Sequence, residues 1–283
     1  MNNRLVTRMA ALRARGGRGV APYVTAGDGG LETTLAVLHA LDAAGACCVE
    51  LGVPFSDPIA DGPVLQAAAQ RALEAGTGLD GILSMLQEFR CGGRGLPGSE
   101  LPVALMSYVN PLLKRGWTEI AKRAGAAGVD AFIVPDLPVE EGGPLRAAAE
   151  DAGICPIFFA APTTSAARVR AAAEASRGFL YVVGRVGVTG SGTSFDAGTQ
   201  DFLRRTRALA DPLPLAVGFG IRTPADVAAA VEHADLAIVG SALVDRAHRA
   251  TAGAADFVQA AAAAAGEYVL SLVAGLPAEE SAA

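Results

Sequence analysis

Lysine is almost missing from this chain: Lys114 and Lys122 are the only two in 283 residues. Arginine makes up the rest of 23 basic side chains against 29 acidic ones, for a net charge of −6 and a pI near 5.2. A nucleic-acid binder needs a basic face. The one basic cluster (Arg4, Arg8, Arg13, Arg15, Arg18) reads as a solvated helix face, so no nucleic-acid partner is expected. Cysteine is scarce too. Cys47, Cys48, Cys91 and Cys155 fit neither a CxxC nor a zinc pattern and read as small buried hydrophobes in a reducing compartment. His39, His233 and His248 fall on expected helices without a second ligand type at metal spacing, so no metal is expected. There is no signal-peptide core in the first twenty residues, and the one apolar stretch of membrane length, 253–276, is broken by Asp256, Gln259 and Glu267. The expectation is a soluble cytoplasmic protein. Finally, the GxGxxG turn of a dinucleotide-binding sheet is lacking: the first turn reads TAGDGG.

What the chain does have is a rhythm. An apolar, β-branched run is followed by a Gly/Pro/Asp turn, then by an Ala/Leu-rich segment of helical period. Eight strands are predicted: Gly19–Thr25, Cys47–Val53, Pro102–Tyr108, Ala131–Pro135, Cys155–Ala160, Phe179–Val183, Leu213–Gly218 and Leu236–Val239. Helices are predicted at 31–44, 80–90, 117–127, 142–152, 165–176, 199–210 and 224–233, with a short one from Ser241 and a last one over 254–274. Gly45, Gly128, Gly153 and Gly178 stand where helices end, and Thr223-Pro224 where one begins. The strands do not alternate, as expected when both faces are buried. With no break in composition, this reads as one domain over 1–283, an α/β chain closed into a (β/α)8 TIM barrel, its tail frayed from about 275. An open doubly wound sheet is the alternative. Two helices are additions: residues 3–14, with Leu5, Met9 and Leu12 on one face to plug the barrel floor, and residues 63–75, inserted after strand 2. The 91–101 loop falls on the opposite side from the strand C-termini.

Active sites of such barrels lie at the strand C-termini. There, CVELGVPFSDPIADGPVLQ (48–66) puts Glu50 inside an apolar strand and Asp57 and Asp61 in the loop beyond it. A buried carboxylate must be paired, protonated or functional. Glu50 reads as functional, one half of an acid/base pair with a loop acid. Asp57 reads as a turn residue before Pro58, and Asp61 as either functional or a cap for the helix at Pro63. Three glycine turns, GRVGVTGSG (184–192), GFGI (218–221) and GSALV (240–244), follow strands 6 to 8. With Ser241 at a helix N-terminus, they read as a phosphate cradle of backbone amides. Tyr23, Tyr108, Tyr181 and Phe219 ring the same end and can accept a flat apolar ring.

The strings VELGVPFSDPIADGPVLQ, PYVTAGD, MSYVNP, VPDLPVEE, GVTG, GFGI and VGSALV, in that order from Arg8 to Ala274, resemble the tryptophan synthase alpha chain family. The resemblance implies a barrel that cleaves indole-3-glycerol phosphate to indole and glyceraldehyde 3-phosphate in tryptophan biosynthesis. It implies Glu50 and Asp61 as the catalytic pair, and Gly190, Gly220, Gly240 and Ser241 around the phosphate. Tyr23, Tyr108 and Phe219 would line the indole pocket, with Tyr181 beside the reacting chain and Thr189 on a mobile loop. No cofactor is implied for this chain. Pyridoxal phosphate would sit in a partner, the tryptophan synthase beta chain, within an alpha2beta2 heterotetramer that docks on the 54–61 loop and the loop after strand 6. Gly184, where serine is frequent, the Gly/Ser-rich 191–197 segment and the long 91–101 loop depart from the pattern. A free-standing lyase, a non-catalytic barrel that only activates a beta chain and an unrelated phosphate-binding isomerase are the alternatives.

Overall fold

The structure, a computed structural model, describes residues 3–184, 197–218 and 220–277. In chain order, helix α1 (Arg4–Ala14) leads into β1 (Gly19–Thr25), α2 (Leu31–Ala43), β2 (Val49–Gly52), α3 (Pro63–Glu74) and α4 (Leu79–Cys91). β3 (Val103–Met106), α5 (Val109–Leu113), α6 (Trp117–Ala126), β4 (Ala131–Ile133) and α7 (Gly143–Asp151) follow. Then come β5 (Cys155–Ile157), β6 (Phe159–Ala160), α8 (Ala166–Ala175), β7 (Leu180–Val183) and α9 (Ala197–Ala210). The chain continues through β8 (Leu215–Gly218), α10 (Pro224–Val231), β9 (Leu236–Val239), α11 (Ser241–Ala250) and α12 (Phe257–Val273).

All strand pairs are parallel, in the order β5-β4-β3-β2-β1-β9-β8-β7-β6. β5 and β6 are the two halves of the strand expected over Cys155–Ala160, and they stand at opposite ends of that order. One continuous stretch thus pairs with β4 by its first half and with β7 by its second, which closes the sheet into a barrel. The split follows from where the Phe158 backbone bonds. The Phe158 amide leaves the ladder for the Ser176 hydroxyl at 2.9 Å, while the Phe158 carbonyl already accepts the Tyr181 amide at 3.0 Å. Pro156 next door has no amide to offer.

The other strands are shorter than expected at their ends, apart from β1 and β9, which match. Helix ends follow their caps. Thr223 and Asp226 form a reciprocal capping box at α10, with Pro224 in its first turn. Asp256 accepts the Gln259 amide at 2.9 Å, which moves the start of α12 from 254 to Phe257. α5 was not expected. Its first amide, Val109, is capped by the Asp136 carboxylate at 2.9 and 3.2 Å, a partner twenty-seven residues away that local pattern does not reveal.

Two apolar layers result. One lies between strands and outer helices. The other fills the barrel, with Cys48, Ala104, Ala131, Cys155, Phe179, Ala216 and Leu236 packed under Leu5, Met9 and Leu12 of α1. α1 therefore does plug the floor. It is fastened there by Asn3, which donates to the Asp130 and Gly153 carbonyls at 2.9 Å, and by Arg4, whose Nε lies 3.0 Å from the Asp130 carboxylate. Among the described residues no helix is long and apolar enough to cross a membrane.

Candidate active site

Glu50 stands in register with Tyr23 on β1 and with Ala104 and Ala131 on β3 and β4. The two alanines belong to the barrel interior, so the carboxylate points inward, one layer above Cys48. It is 1% exposed, and its Oε1 has no hydrogen-bond partner among the described residues. Among the described residues no cation pairs with it. Burial pushes its pKa from 4.5 up to about 8, with the Tyr181 phenol, close enough to donate to it, pulling the other way. A carboxyl near 8 is protonated at neutral pH and can still give up its proton.

Asp61 reaches the same space from the loop after β2. The Tyr108 hydroxyl donates to Asp61 Oδ2 at 3.1 Å and accepts the Ala60 amide at 3.0 Å. The Phe55 ring lies 5.3 Å from the Tyr108 ring. One tyrosine thus ties down the acid and the backbone beside it. Burial raises the Asp61 pKa, and the Tyr108 hydrogen bond opposes that rise. The capping alternative fails, because the N-cap of α3 is Gly62, with Pro63 behind it. Asp57 stays local: it is exposed and takes the Ser56 hydroxyl at 2.5 Å.

Tyr23 is buried and Tyr181 half-buried, and the ionisation of both phenols is suppressed first by burial and then by the charges of Asp61 and Glu50. Both acids act on both rings, so all four groups border one space. The start of α11 adjoins it on the Tyr23 side. Gly240 is the N-cap there, beside Tyr23, and its carbonyl takes the Leu243 and Val244 amides at 2.9 and 3.2 Å. The amides of Ser241 and Ala242 precede the first intrahelical bonds and so have no acceptor within the helix. Together with the helix dipole they suit an anion. Gly220 lies after β8 with φ +62°, exposed. Thr189, Gly190 and Phe219 lie outside the described residues, as does all of the loop after strand 6 from 185 to 196.

Phe159 belongs to this site and was not expected in it. Its ring lies 4.7 Å from that of Tyr181, and it packs on the barrel-interior layer together with Met106. The sequence offers Phe158-Phe159 as a pair. Phe159 shares the inward parity of Cys155 and Ile157, while Phe158 packs against the outer layer. Gly52 and Gly218 were also missed. A Cβ at Gly52 would lie 2.0 Å from the Tyr23 hydroxyl, and one at Gly218 2.7 Å from the Tyr181 hydroxyl. These glycines are the space the two phenols occupy. Among the described residues no three His, Cys, Asp or Glu side chains gather as metal ligands, and the four cysteines are unpaired.

The sequence model of the family described as tryptophan synthase alpha chain matches residues 9–271. The tryptophan synthase alpha chain of Caulobacter sp. (strain K31) is 47% identical over 243 residues, 86% of each chain. That of Alkalilimnicola ehrlichii is 47% identical over 246 residues, covering 86% of this chain and 87% of the relative. Among solved structures, tryptophan synthase subunit alpha from Legionella pneumophila str. Paris superposes with a TM-score of 0.83 at 35% identity, over 97% of this chain and 98% of that one. A chain of tryptophan synthase from M. tuberculosis, in its aminoacrylate-bound form, superposes with a TM-score of 0.81 at 29% identity, over 96% and 99%.

Proposed function

The chain belongs to the tryptophan synthase alpha chain family, and from that premise we propose that Glu50 and Asp61 work as the acid–base and electrostatic pair of its reaction. The reaction is the carbon–carbon lyase step of tryptophan biosynthesis that cleaves indole-3-glycerol phosphate to indole and glyceraldehyde 3-phosphate. It uses no cofactor in this chain; pyridoxal phosphate belongs to the beta chain, with which alpha chains form an alpha2beta2 complex.

The step is a retro-aldol cleavage. Protonated Glu50 gives its proton to indole C3, so the ring nitrogen becomes positive. Asp61 accepts the ring N–H and stabilises that charge. Glu50, now a carboxylate, takes the proton of the adjacent side-chain hydroxyl. The C3–carbon bond then breaks, its electron pair returns to the indole, and the aldehyde leaves. Tyr23, Tyr108 and Phe159 wall the ring, the family resemblance adds Phe219, and Tyr181 keeps Glu50 aimed. Gly220, Gly240 and Ser241 hold the phosphate; the family resemblance adds Gly190 to them and Thr189 as a loop residue. The single observation carrying this is the buried, partnerless oxygen of Glu50 at the barrel mouth. Its test is Glu50→Gln, which is expected to abolish indole release while substrate still binds.

A packing prediction follows from the same geometry. Gly52→Ala displaces the Tyr23 ring from the pocket wall. The expected outcome is a loss of about 10²-fold in kcat/KM for indole release, since ångström-scale misplacement costs that much. Circular dichroism should stay native, and a fully active variant contradicts the placement of Tyr23.

The partner's docking face fits two exposed apolar side chains: Ile59, two residues before Asp61 and 82% exposed, and Leu113 at the end of α5, 48% exposed. Saturating beta chain is expected to raise indole release by at least about tenfold, through closure around the substrate. No stimulation would mark a free-standing lyase. We place the enzyme in the cytoplasm, where its phosphorylated substrate is retained. Detection of the chain in a periplasmic or extracellular fraction overturns that placement.

A further inference from the structure

We infer that the Asp28–Arg71 ion pair is a positioning device for this reaction: it pins α3 across the barrel mouth and so holds Asp61 in its working position. The inference rests on the reading of Asp61 given above. Only Gly62 separates Asp61 from α3, and Pro63 fixes the backbone at the helix start. The Gln66 side chain donates back to the Asp61 carbonyl at 2.8 Å. Wherever α3 goes, Asp61 follows.

The helix itself is weakly keyed to the barrel. Its buried residues are Ala68, Ala69 and Ala72. Ala68 packs between Tyr23 and Val244 of α11, with the half-buried Val64 and Leu65 alongside. An alanine face lets α3 lie close to the sheet, but it has no large side chains to stop it sliding. Direction is supplied near its far end. Arg71 Nε and Nη2 each lie 2.7 Å from the two Asp28 oxygens, a bidentate fork with an Asp28 side chain only 14% exposed. Such a fork fixes angle as well as distance, which a single contact does not.

The anchor is rigid. Asp28 sits in the turn after β1, where the Thr34 hydroxyl accepts the Gly27 amide at 2.9 Å and the Thr33 hydroxyl donates to the Gly29 carbonyl at 2.8 Å. Thr77, just past α3, packs so closely on this turn that a Cβ at Gly27 would lie 2.0 Å from its hydroxyl. Neither Asp28 nor Arg71 is used in the chemistry. Their joint effect is to make an inserted helix a fixed strut between the β1 turn and the catalytic loop, with the phosphate helix α11 packed against it.

The test is a double-mutant cycle in the full chain. Arg71→Gln is expected to lower kcat by about 10–30-fold with KM changed less than about threefold, and Arg71→Lys to restore only part of the loss. In an Asp61→Asn background the same Arg71→Gln change should cost less than about twofold, because the group it positions is already gone. Should Arg71→Gln fold poorly, Asp28→Asn carries the same expectation with a near-isosteric side chain. Equal losses in both backgrounds, or wild-type kcat for the ion-pair variants, overturn the strut. If Asp61→Asn alone leaves kcat unchanged, the role of Asp61 falls and this inference falls with it.

Discussion

In a Glu50→Gln variant, indole release is expected to drop by about 10³–10⁴-fold while substrate affinity stays within about threefold of wild type. Glutamine keeps the shape and the contact with the Tyr181 phenol but can neither deliver nor take a proton. Because one carboxyl serves both proton transfers, its loss removes both at once, and steady-state kinetics alongside substrate titration separates that from lost binding. Residual turnover within about tenfold of wild type would remove Glu50 from the mechanism.

The same variant carries a stability signature. Glu50 titrates at 4.5 as an ordinary glutamate and at about 8 in the fold, with burial the cause. Below pH 4.5 folded and unfolded chains both hold the proton, and stability is undiminished. As pH rises from 4.5 to 8, the unfolded chain releases the proton first and stability falls; above 8 the loss is complete. Full burial makes that loss on the order of 3–5 kcal/mol. Glu50→Gln is therefore expected to raise the melting temperature by roughly 5–10 °C at pH 9 and by almost nothing at pH 4. An enzyme that gains stability as it loses activity is storing unfavourable burial at its working group.

Asp61→Asn is the second large effect, with a different profile. The side chain keeps an oxygen for the Tyr108 hydroxyl, so the loop should hold its place. What goes is the negative charge facing the ring nitrogen. The expected loss in kcat is about 10²–10³-fold, the range for removing one preorganised electrostatic contact, with KM nearly unchanged. The melting temperature should rise, though less than for Glu50→Gln, as pH climbs above the ordinary aspartate range, because burial already disfavours the Asp61 charge in the fold. A variant within about threefold of wild-type kcat contradicts the electrostatic role.

Much of this was legible before the structure. The acid within CVELGV announces itself, because a carboxyl among Val, Leu and Cys has few structural excuses. The apolar spacing of Leu5, Met9 and Leu12 predicts a floor plug, and they form one. β1 runs over the residues its apolar run predicts. The rest depends on partners distant in sequence. Asp136 caps α5 from beyond β4, and Ser176 divides the fifth strand by drawing off the Phe158 amide. Phe159 keeps the inward parity of Cys155 and Ile157 across that division and so meets Tyr181. The fork between Asp28 and Arg71 spans forty-three residues. The tie between Tyr108 and Asp61 spans forty-seven, and it made the difference between a helix cap and a pocket acid. Local pattern carries the elements and the odd acid among them; what each side chain holds is decided by register and closure.

The most direct test is a crystal structure of the Glu50→Gln variant with indole-3-glycerol phosphate trapped in it. The account predicts the residue-50 side chain within about 3.5 Å of both indole C3 and the neighbouring hydroxyl, Asp61 on the ring nitrogen and the phosphate on the Ser241 amide. Substrate bound with its scissile bond beyond about 5 Å of residue 50, or with its phosphate away from α11, would contradict it.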